Sequence, residues 1–543
     1  MQVVHSFQHP VVQGPWRGGE LRSYNSEQAA LLAEDCNDSV HFLYLDRLRA
    51  AATQFVEGFR GTSMYAVKAN PSDAILLEAW RAGVRAFDVA SLREVEAVHS
   101  LLPAATLYFM HPVKSRQAIR RAYALGVRAF VFDTLDELEK LRSETSGGAD
   151  LQLFLRTEVQ TGGAAWSLKG KFGAPQADAP ALLKAAKAMG ARVGVSFHVG
   201  SQCLNPKAFR QAIEQMAKIA AIAGIMPDII DVGGGFPVAY PGMQVLPLET
   251  YFAEIHSAID DNGFSATELL CEPGRALVAE AGAVAARIEL RKDGALYLND
   301  GTYGALFDAG VPAWPFAVRL LRLEGGAPSS QMSDFKAFGP TCDSCDKMVG
   351  PFNLPADARE GDWIVFENLG SYGQTMQSRF NGFYSETCVN IIPANQGESV
   401  TWQPTEAAVI SEAAAAIAAV RTEQALQAEQ AEQAFPTENA SILPSNIAAT
   451  HTGSQEPAFS QLDSACPLDA ASPLDVIDTS RLVSEFAIAT TTDGALEDAQ
   501  KTILSHAVQP EQLHIKCQRK NFIKLQVLQL DEKIGRASCR ERV

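Results

Sequence analysis

Met64-Tyr-Ala-Val-Lys68, Ala86-Phe-Asp-Val89, Leu107-Tyr-Phe-Met110 and Ala129-Phe-Val-Phe-Asp133 are four short apolar runs that begin 21 or 22 residues apart. The stretches between them, 73–82, 92–102 and 116–125, repeat their apolar residues at helical spacing. Gly83 and Gly126 stand where helix stops are expected. Runs at 151–156, 194–199, 229–232 and 269–272 continue the alternation, with a longer helical stretch at 206–223. Eight strand–helix units in roughly 210 residues predict an α/β fold closed as a (β/α)8 barrel. A doubly wound open sheet is the alternative, and the count of eight disfavours it.

Beyond residue 281 the pattern changes. Apolar runs at 284–290, 295–299, 315–323, 335–338, 363–367 and 387–392 are joined by Gly- or Pro-containing turns, without long amphipathic helices. They predict a separate β domain, to which 40–45 could add a strand. The expected organisation is an N-terminal segment, 1–40, packing on the β domain; a barrel, 41–280; and the β domain, 281–400. An Ala/Glu/Gln-rich helix, 401–435, and a Ser/Pro/Thr/Ala-rich linker or extension, 436–543, follow. The last nine residues read as out-of-frame or adapter sequence.

Composition bounds the function. The 543 residues are 47% hydrophobic and 20% charged, as expected of a folded chain with a sizeable core. Sixty-three acidic against 46 basic residues give a net charge of −17, without a long Lys/Arg run. No nucleic-acid partner is expected. No apolar stretch reaches the ~18 residues of a membrane span, and residues 1–19 lack the pattern of a secretory signal. The nine cysteines are scattered and odd in number, which fits a reducing, cytoplasmic compartment.

Several motifs carry chemistry. Lys68 closes the first strand, at the end where barrel enzymes project catalytic groups. An apolar wall there would lower its pKa and make it nucleophilic; the bland alternative is a lysine reaching solvent. Ile229-Ile-Asp-Val-Gly-Gly-Gly235-Phe-Pro237 sets three glycines after a strand, able to turn backbone N–H groups onto an anion. It is not a dinucleotide fingerprint. Cys271-Glu-Pro-Gly-Arg275 follows strand eight, so the two motifs fall after strands seven and eight, where many barrels bind phosphate. His198 ends strand six; a lone histidine there is more often structural, and in a ligand-binding mouth it could stack on a planar ring. Cys342 and Cys345 form a CxxC with no second pair, so neither a zinc site nor a redox centre is expected.

Together these segments resemble the fold-type III (alanine racemase-like) pyridoxal-phosphate (PLP) decarboxylases of ornithine, lysine, arginine and diaminopimelate, and most closely ornithine decarboxylase-like enzymes. The resemblance is carried by YAVKAN at Lys68, FDVAS at Asp88, KFG at Lys171, HVGSQ at His198, DVGGGFP at Gly233 and CEPGR at Glu272. NDGTYG at Tyr303, GPTCDSCD at Cys342, and ENLGSY with FNGF between Glu367 and Phe383 complete it, over about residues 40–392. It implies that Lys68 holds PLP as a Schiff base, Glu272 pairs with the pyridine nitrogen and His198 stacks on the ring. It implies that Ser201, Gly234, Gly235, Arg275 and Tyr372 bind the phosphate, with Asp88 and Arg156 near the cofactor. It further implies a head-to-tail homodimer with shared active sites. Cys342 would give a proton to Cα, Asp343 would hold the distal amine of the substrate, and Lys171 and Asp346 would pair across the interface.

Asp343 after the cysteine leans toward a diamine product, with ornithine first and lysine next. Diaminopimelate, arginine and D-amino acids stay open. After Tyr303 the chain reads Gly-Ala-Leu-Phe-Asp308, shorter than the FNxxxxDH-like run of the ornithine enzymes, and Asp308 is the candidate second substrate-binding acid. A non-catalytic regulator resembling the antizyme inhibitors, and a racemase, are the competing readings. The presence of Lys68, Glu272 and Cys342 disfavours the first, and CEPGR with GPTCDSCD the second.

Overall fold

The computed structural model describes residues 21–392, apart from residue 36, residues 160, 161 and 163, and residues 167–169. The expected helix at 401–435 and the extension at 436–543 lie outside the described residues. Eight parallel strands close a barrel: Thr62–Ala66, Ala86–Val89, Thr106–Phe109, Ala129–Phe132, Gln152–Arg156, Arg192–Ser196, Ile229–Asp231 and Glu268–Cys271. All eight expected strands are present, shifted by at most three residues at an end. The first stops at Ala66, and Lys68 falls in a 3-10 turn, Val67–Ala69.

Alternation along each strand decides what faces inward. Met64, Ala86, Tyr108, Ala129, Val131, Phe154, Ile229 and Leu270 pack together as the barrel filling. Tyr65, Phe87, Phe130, Leu153 and Ile230 point outward, against the helices. Phe154 is fully buried, and burial of such a side chain contributes about 2 kcal/mol. It fits because residue 194 is glycine: a Cβ there would lie 2.6 Å from the Phe154 ring. The same parity continued beyond the filling aims Asp88, Arg156, Asp231 and Glu272 at the C-terminal mouth.

The helices start as their caps dictate. Ser91, Ser115 and Thr134 accept the backbone N–H three residues on, opening Leu92–Leu101, Arg116–Ala124 and Leu135–Glu144.

Among the described residues the β domain is a nine-stranded sheet. Its main path runs Arg22–Tyr24, Cys388–Ile391, Val40–Leu43, Gly282–Lys292, Ala295–Leu298, Met332–Phe338 and Lys347–Pro355. Gly282–Lys292 also pairs Trp363–Phe366, which pairs Val318–Leu321. Residues 40–43 therefore lie in the sheet, as expected of 40–45, although the 41–280 boundary counted 41–43 with the barrel. Gly282 pairs Leu43, and Tyr44 N–H donates to Ala281 at 2.9 Å, so the segments that lead into and out of the barrel touch. The strand Lys347–Pro355 escaped sequence reading because Gly350-Pro351 at its centre looks like a turn; as the end strand of its path it tolerates the proline. No helix among the described residues is long and apolar enough to cross a membrane.

Candidate active site

The mouth of the barrel collects charge. Lys68 Nζ donates to Asp88 Oδ2 at 2.8 Å; the lysine side chain is 44% exposed and that of Asp88 1%. Burial by itself would push the ammonium pKa down. Attraction to Asp88 and then Glu272 outweighs it, and the net direction is up. This corrects the apolar wall expected around Lys68: the residues that surround it include two carboxyls, so the resting amine is protonated.

Glu272 is buried, and burial, Asp231 and Asp88 raise its pKa well above the ordinary carboxylate range despite Lys68. His198 is driven well below its ordinary value by burial, then by Arg156 and Lys68. Its Nδ1 accepts the Gly200 N–H at 3.0 Å, so the ring is a neutral imidazole carrying its proton on Nε2.

The glycine run packs beneath this group. Gly233 has φ +69° and Gly235 φ +102°, conformations that favour glycine. A Cβ on Gly234 would lie 2.6 Å from the Glu272 carbonyl and 3.2 Å from His198 Nε2. A Cβ on Gly235 would run into the Gly200 carbonyl. Cys203 N–H donates to Gly235 at 2.9 Å, tying the strand Ser201–Cys203 to the run. Of the expected phosphate-side residues, Gly234, Gly235 and the strand that begins at Ser201 are thus brought together.

Arg275 opens the short helix after strand eight. Its Nη1 donates to the Tyr240 hydroxyl at 3.0 Å and its Nη2 to Asp308 at 3.1 Å. Its guanidinium lies 4.7 Å from the centre of the Tyr372 ring. Tyr372 has φ +62°, uncommon for a tyrosine, and its N–H donates to Ala69, beside Lys68. Asp308, expected to hold a substrate amine, has its carboxylate on Arg275 instead, because the shortened run after Tyr303 turns directly into the helix Phe307–Gly310.

Cys342 and Asp343 sit apart from this group, on the β domain. Asp343 accepts the Cys345 N–H at 2.8 Å and the Tyr303 hydroxyl at 3.0 Å, which hold its pKa below the ordinary range. Cys342 is exposed, with its thiol 3.5 Å from Asn381 Oδ1. Asp346 is buried and accepts from Thr302 N–H, Thr341 N–H and the Thr341 hydroxyl of its own chain. Glycine at 301 and 339 leaves room for that carboxylate. Lys171 is exposed, its ammonium 5.0 Å from the centre of the Phe172 ring.

Three buried polar atoms at the mouth, Asp88 Oδ1, Glu272 Oε1 and Arg275 Nε, have no hydrogen-bond partner. Buried polar atoms are rarely left so. An acid facing a ring nitrogen, a guanidinium beside a phosphate and an amine able to join an aldehyde are the set that PLP requires, so the residues fit that group. Asp231, on the same inward parity as Glu272, belongs to the mouth and was missed in sequence; the run Ile229-Ile-Asp231 carried the signal.

Comparison with known proteins agrees. Residues 45–279 match the family described as pyridoxal-dependent decarboxylase, pyridoxal binding domain. Mouse ornithine decarboxylase is 34% identical over 357 residues, covering 60% of this chain and 74% of that one. The crystal structure of the Vibrio vulnificus lysine/ornithine decarboxylase complexed with cadaverine aligns with TM-score 0.59 and 28% identity, over 68% of this chain and 99% of that one. That of the Paramecium bursaria Chlorella virus arginine decarboxylase bound to agmatine aligns with TM-score 0.60 and 27% identity, over 67% and 98%. Identity sustained along so much of these relatives, on a barrel whose mouth fits PLP, means that the chain belongs to the fold-type III pyridoxal-dependent decarboxylases and is a PLP-dependent amino-acid decarboxylase.

Proposed function

We propose that the substrate is a basic L-amino acid, ornithine first and lysine second, and that its decarboxylation leaves a diamine for polyamine synthesis. The observation that carries this reading is Asp343: an acid beside Cys342, kept ionised by Tyr303 and the Cys345 N–H, and so suited to a distal ammonium. Asp308 is engaged by Arg275, which leaves the recognition to Asp343. Named relatives that act on ornithine and lysine support the choice.

Bound PLP supplies the sink for the electron pair left when CO2 departs. In our reading Lys68 anchors it, and Glu272 faces its ring nitrogen. The neutral His198 lies against its ring. Ser201, Gly234, Gly235, Arg275 and Tyr372 hold its phosphate, with Asp88 and Arg156 beside it. Cys342 returns a proton to the α-carbon. We infer that Cys342 and Asp343 serve the mouth of a second copy in a head-to-tail homodimer, with Lys171 and Asp346 near that interface. Their loop is exposed, and Phe380 and Phe383 beside it are each 42% exposed. The free cysteines accord with a cytoplasmic setting.

Release of CO2 by the PLP-supplemented protein, compared across L-ornithine, L-lysine, L-arginine and meso-diaminopimelate, tests the substrate. Preference for ornithine or lysine that Asp343→Asn abolishes is the expected result; preference for diaminopimelate overturns it. Mixing inactive Lys68→Ala and Cys342→Ala chains tests the dimer. Random exchange should restore about a quarter of the sites, and no recovery would place each site within one chain.

A further inference from the structure

Asp231 ends one barrel strand and Glu272 directly follows its neighbour, the two strands being paired in register through Asp231 and Leu270. On the same inward parity, the two carboxyls lie within hydrogen-bonding reach of each other. Both are buried, Asp231 completely. Asp231 also accepts the Gly233 N–H and the Ser196 hydroxyl, each at 2.9 Å. A hydrogen bond between two carboxyls requires a proton on one of them. These two donors offset part of the upward push that burial gives Asp231, whereas burial, Asp231 and Asp88 drive Glu272 well above the ordinary range, so the proton resides on Glu272, whose Oε1 has no partner.

The groups that face the pair are consistent. Asp88 on strand two disfavours a second negative charge at Glu272, and Lys68 favours it less strongly. Arg156 on strand five faces Asp231 and favours its charge. Cys271 is held neutral by burial first and, against the Ser63 hydroxyl, by Asp231 and Glu272; Tyr108 is held neutral by burial first, then by Glu268 and Asp231. His198 is neutral.

We propose that Asp231 is a positioning residue that keeps one proton on Glu272, and that this is the proton received by the ring nitrogen of PLP when the cofactor enters unprotonated. The inference rests on the reading of Glu272 as the ring-nitrogen partner. The Glu272 O–H bond breaks and a ring N–H bond forms. Glu272 is left as the carboxylate facing that N–H, and Asp231 stays ionised among Gly233, Ser196 and Arg156. No proton is drawn from solvent.

Infrared difference spectra of the full chain, freed of PLP and then reconstituted at alkaline pH, read the protonated-carboxyl C=O stretch on the unmodified protein. The band should be present before reconstitution and lost after it. Glu272→Gln should lack it. Asp231→Asn should lack it too, because an amide donor in place of the like charge lets Glu272 ionise. Calorimetry in two buffers of different ionisation enthalpy should then show Asp231→Asn taking up about one proton more on binding PLP than the unmodified chain. Visible absorbance follows cofactor binding separately. A band unmoved by bound PLP, or equal proton uptake in both proteins, overturns the proposal and leaves the cofactor assignment standing. No absorbance change at all overturns both.

Discussion

Arg275 and Asp308 form an ion pair at 3.1 Å, with side chains only 10% and 8% exposed. With Tyr240 on the other terminal nitrogen, the guanidinium is fixed on two sides and keeps Nε unpartnered. Breaking a buried pair by removing one partner costs roughly 3–5 kcal/mol. Asp308→Asn is therefore expected to lower folding stability by about 3 kcal/mol and to weaken PLP binding about tenfold. At saturating PLP the substrate KM should stay within about twofold. Urea unfolding, PLP titration and kinetics separate these effects. A raised KM with unaltered PLP affinity would return Asp308 to the substrate.

Asp88→Asn removes the largest attraction that holds the Lys68 amine protonated. The sign follows directly: without Asp88 the pKa of Lys68 falls, the free amine at neutral pH becomes more abundant, and capture of PLP accelerates. About tenfold per unit of pKa is expected. Stopped-flow absorbance on mixing with PLP reads the rate, and an unchanged or slower rate would deny Asp88 this control.

Lys114, fully buried, donates to the Val131 carbonyl at 2.6 Å and lies 3.0 Å from Glu137. Burial pushes its pKa down to about 8, with Glu137 opposing. An unfolded lysine binds its proton up to a pKa of about 10.4. Between pH 8 and that value the unfolded chain holds more protons, so this group makes stability rise with pH, by roughly 3 kcal/mol at most. Urea midpoints between neutral and alkaline pH should show the rise, and Lys114→Met should remove it.

Gly234→Ala tests the cradle. Its backbone tolerates alanine, but the new methyl meets the Glu272 carbonyl and His198 Nε2. A loss of about 1–3 kcal/mol in stability is expected from the overpacking, with the fold retained by circular dichroism and PLP lost on gel filtration. Retained PLP absorbance would show that the ligand lies elsewhere.

Much of this was legible because barrel strands obey a two-residue rhythm. Once Ala86, Phe154, Ile229 and Leu270 are read as filling, Asp88, Arg156, Asp231 and Glu272 fall on the same parity at the mouth, and Lys68 follows the end of the first strand in a 3-10 turn. Asp231 was passed over because the three glycines after it drew attention to the backbone. The partner of Asp308 was not legible: a three-dimensional meeting of the short helix after strand eight with another short helix some 30 residues on leaves no periodic trace. Nor could spacing show that Asp346 accepts from Thr302 and Thr341. The strand at Lys347–Pro355 hid behind a Gly-Pro that usually marks a turn.

The bond from Tyr44 N–H to Ala281 and the pairing of Gly282 with Leu43 have a consequence for chain connectivity. They make the barrel an insertion whose two attachment points are neighbours, the arrangement in which circular permutation and domain grafting succeed. Joining residue 44 to residue 281 through a short linker, and opening the ring between the exposed residues 146 and 147, would give a chain that starts and ends within the barrel. The barrel could then be made without its β domain, and PLP capture by Lys68 measured where the neighbouring loops of that domain are gone.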